Sequence, residues 1–598
     1  MKYGVRIGLI RLLGYNVVED NVYPAFLDKN QPIGLESIKG YLEKKCRYPF
    51  EVRIIDFHQD IWQSDLEKVA INSRDEHEFE PSVGLVTVIK KIFDKAKLAE
   101  LDIIGLSAPM SSEKMLSCFL WHLTSNHEYR NKIILVGNLI STFCYDQIIE
   151  NYPSVFCCVG SGEECLLSLC DYIVSKKERK EEMIDNIRTD LILGNITVPG
   201  LFFSYQGAVL HSRQLYEIEQ NLSFLPSIST QEEVEARGGN MRMQSSRGCN
   251  FHCGFCVVNK VFGISARIEF AIDDVLAYIE KVVANSTQRE VRIDFIDDEF
   301  LSHPVNFERM EFLFSGIRDI SRDLGREITF SFATNSNSFQ FSNNAKGERL
   351  KALWFMAKDS GLSKVFLGLE SNALTQLKRY NKYGSPTSNE QAITFLRDVL
   401  GIRMEVAMIL IDYEMDADWR YELLENFDFL YKHGLHTERS LLIQIIKPLR
   451  FSNIFLKYKE KGILLDQDGR YSPVWKAKFL NPEVEKFVRI FERWSSKKEP
   501  LYQLRYRLKQ DLSFALQSEE ERIKKGYKDG LAELDFFFFR ELVEKWGERD
   551  VEDVLKTRLI AKRKEILFKI KKDILTGRIV GYSDYYFSLL EACLSIWS

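Results

Sequence analysis

The sequence lacks the long apolar run of a membrane-spanning helix and the charge excess of a nucleic-acid-binding protein. No window approaches the roughly 18 uncharged apolar residues that can cross a bilayer, and the net charge is only −5 over 598 residues. Arg6 and Arg11 interrupt the apolar run at the start, and no small-residue cleavage site follows it, so no secretory signal is apparent. We therefore expect a cytoplasmic protein that binds neither membranes nor nucleic acid.

The sequence also lacks internal repeats and low-complexity tracts, and it is too long for one ordinary domain. In its first 195 residues, short apolar β-branched runs alternate with helical or loop segments, which predicts an α/β fold with a doubly wound parallel sheet. The candidate strands are residues 5–12, 52–55, 103–107, 133–136 and 156–159.

Small and polar residues follow these candidate strands, at the edge where ligands bind in such sheets. Glycine at such positions permits close approach of a bulky ligand to the backbone. An ordinary Rossmann-like domain with turn glycines would show the same pattern, and the α/β alternation by itself does not exclude it. The candidate ligand contacts are Ser107, Gly137, Asn138, Gly160, Gly162 and Glu163.

Cysteines cluster in one place only. Cys249, Cys253 and Cys256 are separated by three and then two residues, whereas the other eight cysteines are scattered and form no Cys-x2-Cys pair. Thiolates are the usual ligands of iron–sulfur clusters, and three of them leave one iron of a four-iron cluster open. A structural zinc site needs four protein ligands, and a disulfide needs an oxidising compartment. Three buried core cysteines grouped by chance would be a poor explanation of a triplet that directly follows Arg247-Gly248. The pattern therefore favours a 4Fe-4S cluster.

The spacing of these cysteines resembles the signature of the radical S-adenosylmethionine (SAM) enzymes. The resemblance implies that the open iron holds the amine and carboxylate of SAM. From residue 241 to about 450, six strand-like runs alternate with helical patterns, which suits a partial (β/α)6 barrel. The chemistry of such barrels lies at the C-terminal ends of the strands.

Candidate SAM contacts stand at the ends of the predicted barrel strands. The family resemblance implies that Phe255 packs on the adenine, and it places an acidic group after the second strand near the SAM ammonium. An acidic cap on a helix N-terminus is the competing interpretation for any one of these carboxylates. The candidates are Phe255, Asp297, Asp298, Glu299, Asn335 and Glu370. No catalytic residue can be named.

The order of the strand-end motifs in the first third of the chain resembles the N-terminal cobalamin-binding domain of one radical SAM subfamily. The motifs include Val136-Gly137-Asn138 and Gly160-Ser161-Gly162-Glu163. This subfamily commonly has a second glycine where Asn138 stands and a glutamate where Ser161 stands. Asp56-Phe57-His58 is similar to a loop that supplies a histidine to cobalt, but it follows the wrong strand and lacks the glycine. We expect cobalamin to bind without a histidine ligand.

We predict a cobalamin-binding Rossmann-like domain at 1–195, a connector at 196–240, a radical SAM domain at 241–450 and a mostly helical domain at 451–598. The resemblance implies three cofactors, namely the 4Fe-4S cluster, SAM and cobalamin, and an external electron donor such as flavodoxin or ferredoxin. It also implies cleavage of SAM to a 5′-deoxyadenosyl radical, with methyl transfer to an unactivated carbon of a small-molecule or peptide substrate. The alternatives are cyclisation, oxidation or rearrangement without methylation and, less expected, a non-catalytic iron–sulfur sensor.

Overall fold

The computed structural model describes most of the chain. The described residues are 4–12, 15–18, 21–24, 28–56, 97–110, 112–176, 182–213, 224–264, 267–302, 304–442, 444–495, 504, 518–579 and 590–594. The predicted motif at His58 and the predicted helix at 501–514, apart from residue 504, lie outside these ranges.

The first part of the chain forms a seven-stranded sheet in the order β4-β1-β5-β6-β7-β8-β9. The first five strands in this order are parallel, and the hairpin β8–β9 joins their edge in the antiparallel direction. The strands are β1 Val5–Arg11, β4 Phe50–Asp56, β5 Ile103–Ser107, β6 Ile133–Gly137, β7 Phe156–Cys158, β8 Leu201–Tyr205 and β9 Ala208–His211; a small separate hairpin comprises β2 Tyr15–Val18 and β3 Asn21–Pro24. The helices are α1 Ile33–Lys45, α2 Glu113–Ser125, α3 Asn138–Asn151, α4 Glu163–Ser175 and α5 Met183–Leu193.

The strands of this sheet consist mainly of buried apolar residues, and polar residues lie at one edge. Ile7, Ile103 and Ile133 are at most 1% exposed, as expected for strands covered on both faces. The register sets Ser107 opposite Gly137, so the C-terminal ends of neighbouring strands form one edge. Residues 201–211, which the sequence placed in the connector, extend this sheet.

The second sheet is five-stranded and parallel, in the order β10-β13-β14-β15-β16. A single parallel bridge between Ile411 and Ile445 continues it beyond β16, where the sequence predicted a sixth strand. The strands are β10 Met241–Met243, β13 Glu290–Phe295, β14 Glu327–Asn335, β15 Leu362–Glu370 and β16 Arg403–Met408; a short antiparallel pair consists of β11 Ser246–Arg247 and β12 Ile268–Glu269. The fold is therefore the predicted partial barrel.

Helices precede the first barrel strand and lie between or after the others, and several of them pack on one face of the sheet. They are α6 Gln231–Ala236, α7 Val258–Phe262, α8 Ile272–Asn285, α9 Phe307–Leu324, α10 Ala345–Asp359, α11 Leu374–Arg379, α12 Pro386–Thr394, α13 Trp419–Lys432 and α14 Arg439–Leu442. On β15, Val365 and Leu367 are fully buried, whereas Phe366 between them is 42% exposed. Because successive strand residues point to opposite faces, the apolar core lies under the helices and the inner face of the barrel is left open.

The C-terminal part is mostly helical, as predicted. It contains α15 Asn453–Glu460, the hairpin β17 Leu464–Gln467 and β18 Trp475–Ala477, α16 Pro482–Ser495, α17 Glu519–Glu544 and α18 Val551–Leu575. Three of the four consecutive phenylalanines, Phe536, Phe538 and Phe539, are buried and form a core with rings of α13 and α16. None of the helices in the described part of the chain is long and apolar enough to span a bilayer.

A buried charge cluster joins the two sheets. Asp56 at the end of β4 accepts a 2.7 Å hydrogen bond from Arg237, and Asp28 accepts 2.8 and 3.1 Å bonds from Arg242 on β10. Arg11 at the end of β1 is hydrogen-bonded to both carboxylates. Buried charges need such partners, so this cluster fixes the first barrel strand against the strand-end edge of the N-terminal sheet.

Candidate functional site

The three cysteines lie on a loop of residues 248–257, which we call the cysteine loop, between β11 and α7. Gly248 begins it with φ +80°, and a Cβ there would lie 2.3 Å from Cδ1 of Ile264. Only glycine can adopt this positive φ and fit into this space without strain. The Asn259 side chain then holds Cys249, since its Oδ1 accepts from the Cys249 amide at 2.9 Å and its Nδ2 donates to the Cys249 carbonyl at 2.8 Å. Asn259 could not be predicted from the sequence, because a polar residue in a short helix carries no signal of such a role.

The far side of the cysteine loop is fixed by the segment that follows α11 and by the first turn of α15. The Gly254 amide donates to the Tyr380 carbonyl at 2.6 Å, and the Ile454 amide donates to the Gly254 carbonyl at 2.9 Å. Asn381 also donates to the backbone of the loop at the His252 carbonyl. The segment between the second and third cysteines is therefore held by backbone contacts before any metal binds.

The thiols of the cysteine loop resist ionisation in the absence of a cation. Burial raises the pKa of Cys249 to about 12 and that of Cys253 to about 11, and the neighbouring Cys256 adds to both rises. A cationic metal centre removes this obstacle, because it binds the thiolate form. Three sulfur donors on one short loop therefore fit an iron–sulfur cluster. Among the residues that the structure describes, no three histidine, cysteine or carboxylate side chains are arranged as a site for a single metal ion.

The acidic stretch after β13 divides into two buried carboxylates and one exposed carboxylate. Asp297 is 2% exposed and accepts three hydrogen bonds from Ser245 and Ser246, at 3.0, 2.7 and 2.5 Å. It therefore fixes the chain that enters the cysteine loop. Glu299 is also buried and accepts from Thr334 at 2.5 Å and from Asn335 at 2.7 Å. Two predicted SAM contacts, Glu299 and Asn335, are thus partners of each other.

Asp298 differs from its neighbours because its side chain reaches solvent. It accepts a 3.0 Å hydrogen bond from the Gly248 amide at the start of the cysteine loop. Desolvation in this crevice, with a contribution from nearby Asp297, raises the pKa of Asp298 to about 6. Of the three carboxylates, Asp298 is the one that a cationic ligand could reach.

Glu370 ends β15 in the left-handed region, with φ +67°. Its Oε1 lies 3.3 Å from Nζ of Lys382, and both side chains are about one-tenth exposed. Burial opposes the charge on Lys382, but Glu370, Cys253 and Glu299 outweigh it and raise the pKa of the lysine. Lys382 is therefore a buried cation beside the cysteine loop. The predicted site residues did not include it, since an isolated lysine in a sequence is usually a solvated one.

Phe255 packs edge-on against Tyr380, with ring centroids 6.1 Å apart. The Phe255 ring is half-buried and contacts the small apolar cluster that includes Ile446 and Ile454. The structure thus places the Phe255 ring on the side of the cysteine loop that faces Tyr380.

The predicted cobalamin contacts assemble at the strand-end edge of the N-terminal sheet. Asn138 has φ +75° and donates to the Ser107 hydroxyl at 3.0 Å. Asparagine tolerates this left-handed conformation better than most residues, which explains why it can stand where the subfamily has glycine. A Cβ on Gly137 would meet nothing within 4 Å, so the space above this strand end is open. Gly160 also has positive φ, and Glu163 begins α4.

No family model matches the chain. The 4′-phospho-dehydrooxetanocin synthase of Priestia megaterium is 28% identical over 362 residues, which cover 58% of this chain and 44% of that protein. The match therefore spans less than half the length of that relative.

Two solved structures show the fold. The cobalamin-dependent S-adenosylmethionine radical enzyme OxsB, with aqua-cobalamin bound, has a TM-score of 0.72 at 18% identity and covers 99% of this chain and 84% of its own. The radical S-adenosylmethionine methyltransferase TsrM from Kitasatospora setae, with cobalamin and a 4Fe-4S cluster bound, has a TM-score of 0.51 at 14% identity, over 77% of this chain and 75% of its own. The predicted fold class and the resemblance at the level of fold are confirmed.

Proposed function

We propose that this chain, which has the fold of the cobalamin-dependent radical SAM enzymes, is itself such an enzyme, with cobalamin bound by residues 1–195 and the radical chemistry in residues 241–450. The observation that carries the proposal is the position of the cysteine loop. Its thiols lie at the C-terminal ends of the barrel strands, and Arg247 beside them is ion-paired at 2.5 Å with Glu163, the first residue of α4 in the N-terminal part of the chain. Two cofactors would thus face one shared space, which a metal-binding sensor would not need.

The cysteine loop and the residues around it supply groups of the right charge for a cluster and for SAM. Cys249, Cys253 and Cys256 would ligate the 4Fe-4S cluster. Asp298 would accept hydrogen bonds from the SAM ammonium, since its carboxylate is accessible. Lys382 would attract the SAM carboxylate, with Glu370 limiting the excess positive charge. Phe255 offers an aromatic face for the adenine. Glu299 and Asn335 would not contact SAM and would instead fix the ends of β13 and β14 through their hydrogen bond.

Cobalamin would bind over the open strand-end edge of the N-terminal sheet. Gly137 and Gly160 leave room for the macrocycle, and Gly162 and Glu163 lead into α4. Asn138 and Ser107 hold each other and would present a polar surface there. When bound, the cluster supplies an electron for cleavage of SAM to a 5′-deoxyadenosyl radical, and cobalamin supplies a second reactive centre. An external flavodoxin or ferredoxin would deliver the electron, because the cysteine loop reaches the surface at His252 and Cys256.

We favour a radical rearrangement or ring formation over methyl transfer. The greater likeness to OxsB than to the methyltransferase TsrM supports this choice, as does the name of the curated relative, a synthase. That name also supports a small phosphorylated molecule as substrate over a peptide. Methyl transfer is the second candidate, since TsrM covers three-quarters of the chain with the same fold.

Product analysis tests the proposal. Protein reconstituted with iron, sulfide and cobalamin is reduced anaerobically with SAM, and the products are separated by liquid chromatography. We expect 5′-deoxyadenosine from the wild type and from Cys593→Ser, a matched control far along the chain, and none from Cys249→Ala. Methyl transfer would also leave S-adenosylhomocysteine, because each transferred methyl comes from one SAM. Accumulation of S-adenosylhomocysteine would favour the second candidate, and absence of both products would contradict enzyme function.

A further inference from the structure

Arg247 connects the two predicted cofactor sites through its side chain. Its Nη2 donates to Oε1 of Glu163 at 2.5 Å, and its Nη1 lies 3.4 Å from the Ser161 hydroxyl. The remaining donor, Nε, is hydrogen-bonded to Gln244 at 3.0 Å. The side chains of Arg247 and Glu163 are 11% and 9% exposed, so this is a nearly buried ion pair between two parts of the chain 84 residues apart.

Aromatic rings enclose the guanidinium group of Arg247. The rings of Phe224, Phe262 and Phe270 have their centroids 5.7, 6.0 and 5.9 Å from its central carbon. Arginine is well suited to such a place, because its planar group can stack on rings while it donates to a carboxylate. The rings therefore favour one orientation of the guanidinium group.

Both ends of the pair are attached to loops that would bind cofactors. Arg247 precedes Gly248 and Cys249 directly, and the Gly248 amide is bound to Asp298. Glu163 is the first residue of α4 and ends the segment that contains Gly160 and Gly162. Immobilising the backbone of either loop therefore restricts the other loop through a few covalent bonds and one ion pair.

We infer that the Arg247–Glu163 pair couples the two sites, so that loading the cluster increases the affinity for cobalamin. The inference rests on the proposed function. Ligation of Cys249 would restrict the backbone next to Arg247, and through the ion pair this would restrict the Gly160–Glu163 segment. The segment would then have less conformational entropy to lose when cobalamin binds. By thermodynamic linkage, bound cobalamin must favour cluster binding by the same factor. Arg247 is thus a positioning residue for the proposed reaction.

A second ion pair between distant segments offers a matched control. Arg450 donates to Asp146 on α3 at 2.8 and 2.6 Å, and it also joins the N-terminal sheet to the barrel side of the chain. Neither residue lies in the cysteine loop or in the Gly160–Glu163 segment. If the Arg247–Glu163 pair only stabilised the fold, loss of either pair would have the same kind of effect.

The test compares cobalamin affinity with and without the cluster. Hydroxocobalamin is titrated anaerobically into cluster-free and cluster-loaded protein, and binding is followed by visible absorbance. We expect the cluster-loaded wild type to bind at least about fivefold more tightly, the lower end of typical coupling. In Arg247→Lys and in Glu163→Gln the ratio of the two affinities should fall to near one. In Asp146→Asn the ratio should persist, even if the thermal midpoint falls.

The outcomes separate the inference from the function on which it rests. Equal cobalamin affinity of cluster-free and cluster-loaded wild type would overturn the inference without any variant, as would a ratio that survives in both pair variants. If Asp146→Asn also lost the difference in cobalamin affinity between cluster-free and cluster-loaded protein, the effect would come from general stability. That result would overturn the inference as well. A wild type that binds no cobalamin would contradict the proposed function itself, and the inference with it.

Discussion

The pairing of Glu370 with Lys382 predicts a stability cost for Glu370→Gln, which keeps the shape of the side chain and removes its charge. Nζ of Lys382 lies 3.3 Å from Oε1 of Glu370, and both side chains are about one-tenth exposed. At an effective dielectric constant near 20, two unit charges at this distance attract by about 5 kcal/mol before desolvation is counted. Removing one partner of a buried pair typically costs about 3–5 kcal/mol.

Two features of the site reduce this cost. Glu299 also stabilises the charge on Lys382, and glutamine can still accept a hydrogen bond from the ammonium group. We therefore expect the free energy of unfolding to fall by about 2 kcal/mol. Equilibrium urea unfolding of cluster-free protein measures the loss, and SAM affinity is measured alongside on cluster-loaded protein.

Glu405→Gln is the matched control for this prediction. Glu405 on β16 lies 3.6 Å from Lys364 and 3.7 Å from Arg403, but its side chain is 46% exposed. A surface pair of this kind contributes little, about 0–1 kcal/mol. If Glu370→Gln were as stable as this control and SAM binding alone weakened, Glu370 would serve the ligand and the structural reasoning would be refuted. These two roles of Glu370 could not be separated from the sequence, because the cation beside it, Lys382, is identified only by the fold.

Three further predictions concern the two cofactor sites. Because the pKa of Asp298 is raised to about 6, we expect SAM to bind more tightly as pH rises through 6; isothermal titration should show this rise, and Asp298→Asn should abolish it. Gly248→Ala should reduce cluster loading, measured as bound iron, since φ +80° strains any side chain at this position and the new Cβ would also displace Cδ1 of Ile264; full loading would contradict the strain argument. His58→Ala should leave the visible spectrum of bound cobalamin unchanged, and a changed spectrum would reveal a histidine ligand.

Local sequence patterns were enough to predict the elements that carry the site. The apolar runs before Ser107 and Gly137 are strands, and the strand before Asn335 and the one before Glu370 lie in the barrel. Such patterns depend on residues a few positions apart. The attachment of the hairpin β8–β9 to the N-terminal sheet could not be predicted, because pairing with β7 depends on residues more than 40 positions away.

The roles of individual side chains could not be predicted, because their partners are distant in sequence. Asp297, Asp298 and Glu299 are adjacent and chemically alike. The structure distinguishes them through contacts with residues 35 to 52 positions away, at Ser245, Gly248 and Thr334. The same holds for Arg247, whose partner Glu163 begins α4 and lies 84 positions away.

Anaerobic iron and sulfide analysis of a Cys249→Ala, Cys253→Ala, Cys256→Ala triple variant tests the central claim most directly. The measurement is made after reconstitution, beside the wild type and the Cys593→Ser control, with electron paramagnetic resonance of the reduced samples. We predict about four irons and four sulfides per chain in the wild type and in the control, and none in the triple variant. A triple variant that retains four irons and the signal of a reduced cluster would show that the cysteine loop is not the cluster site.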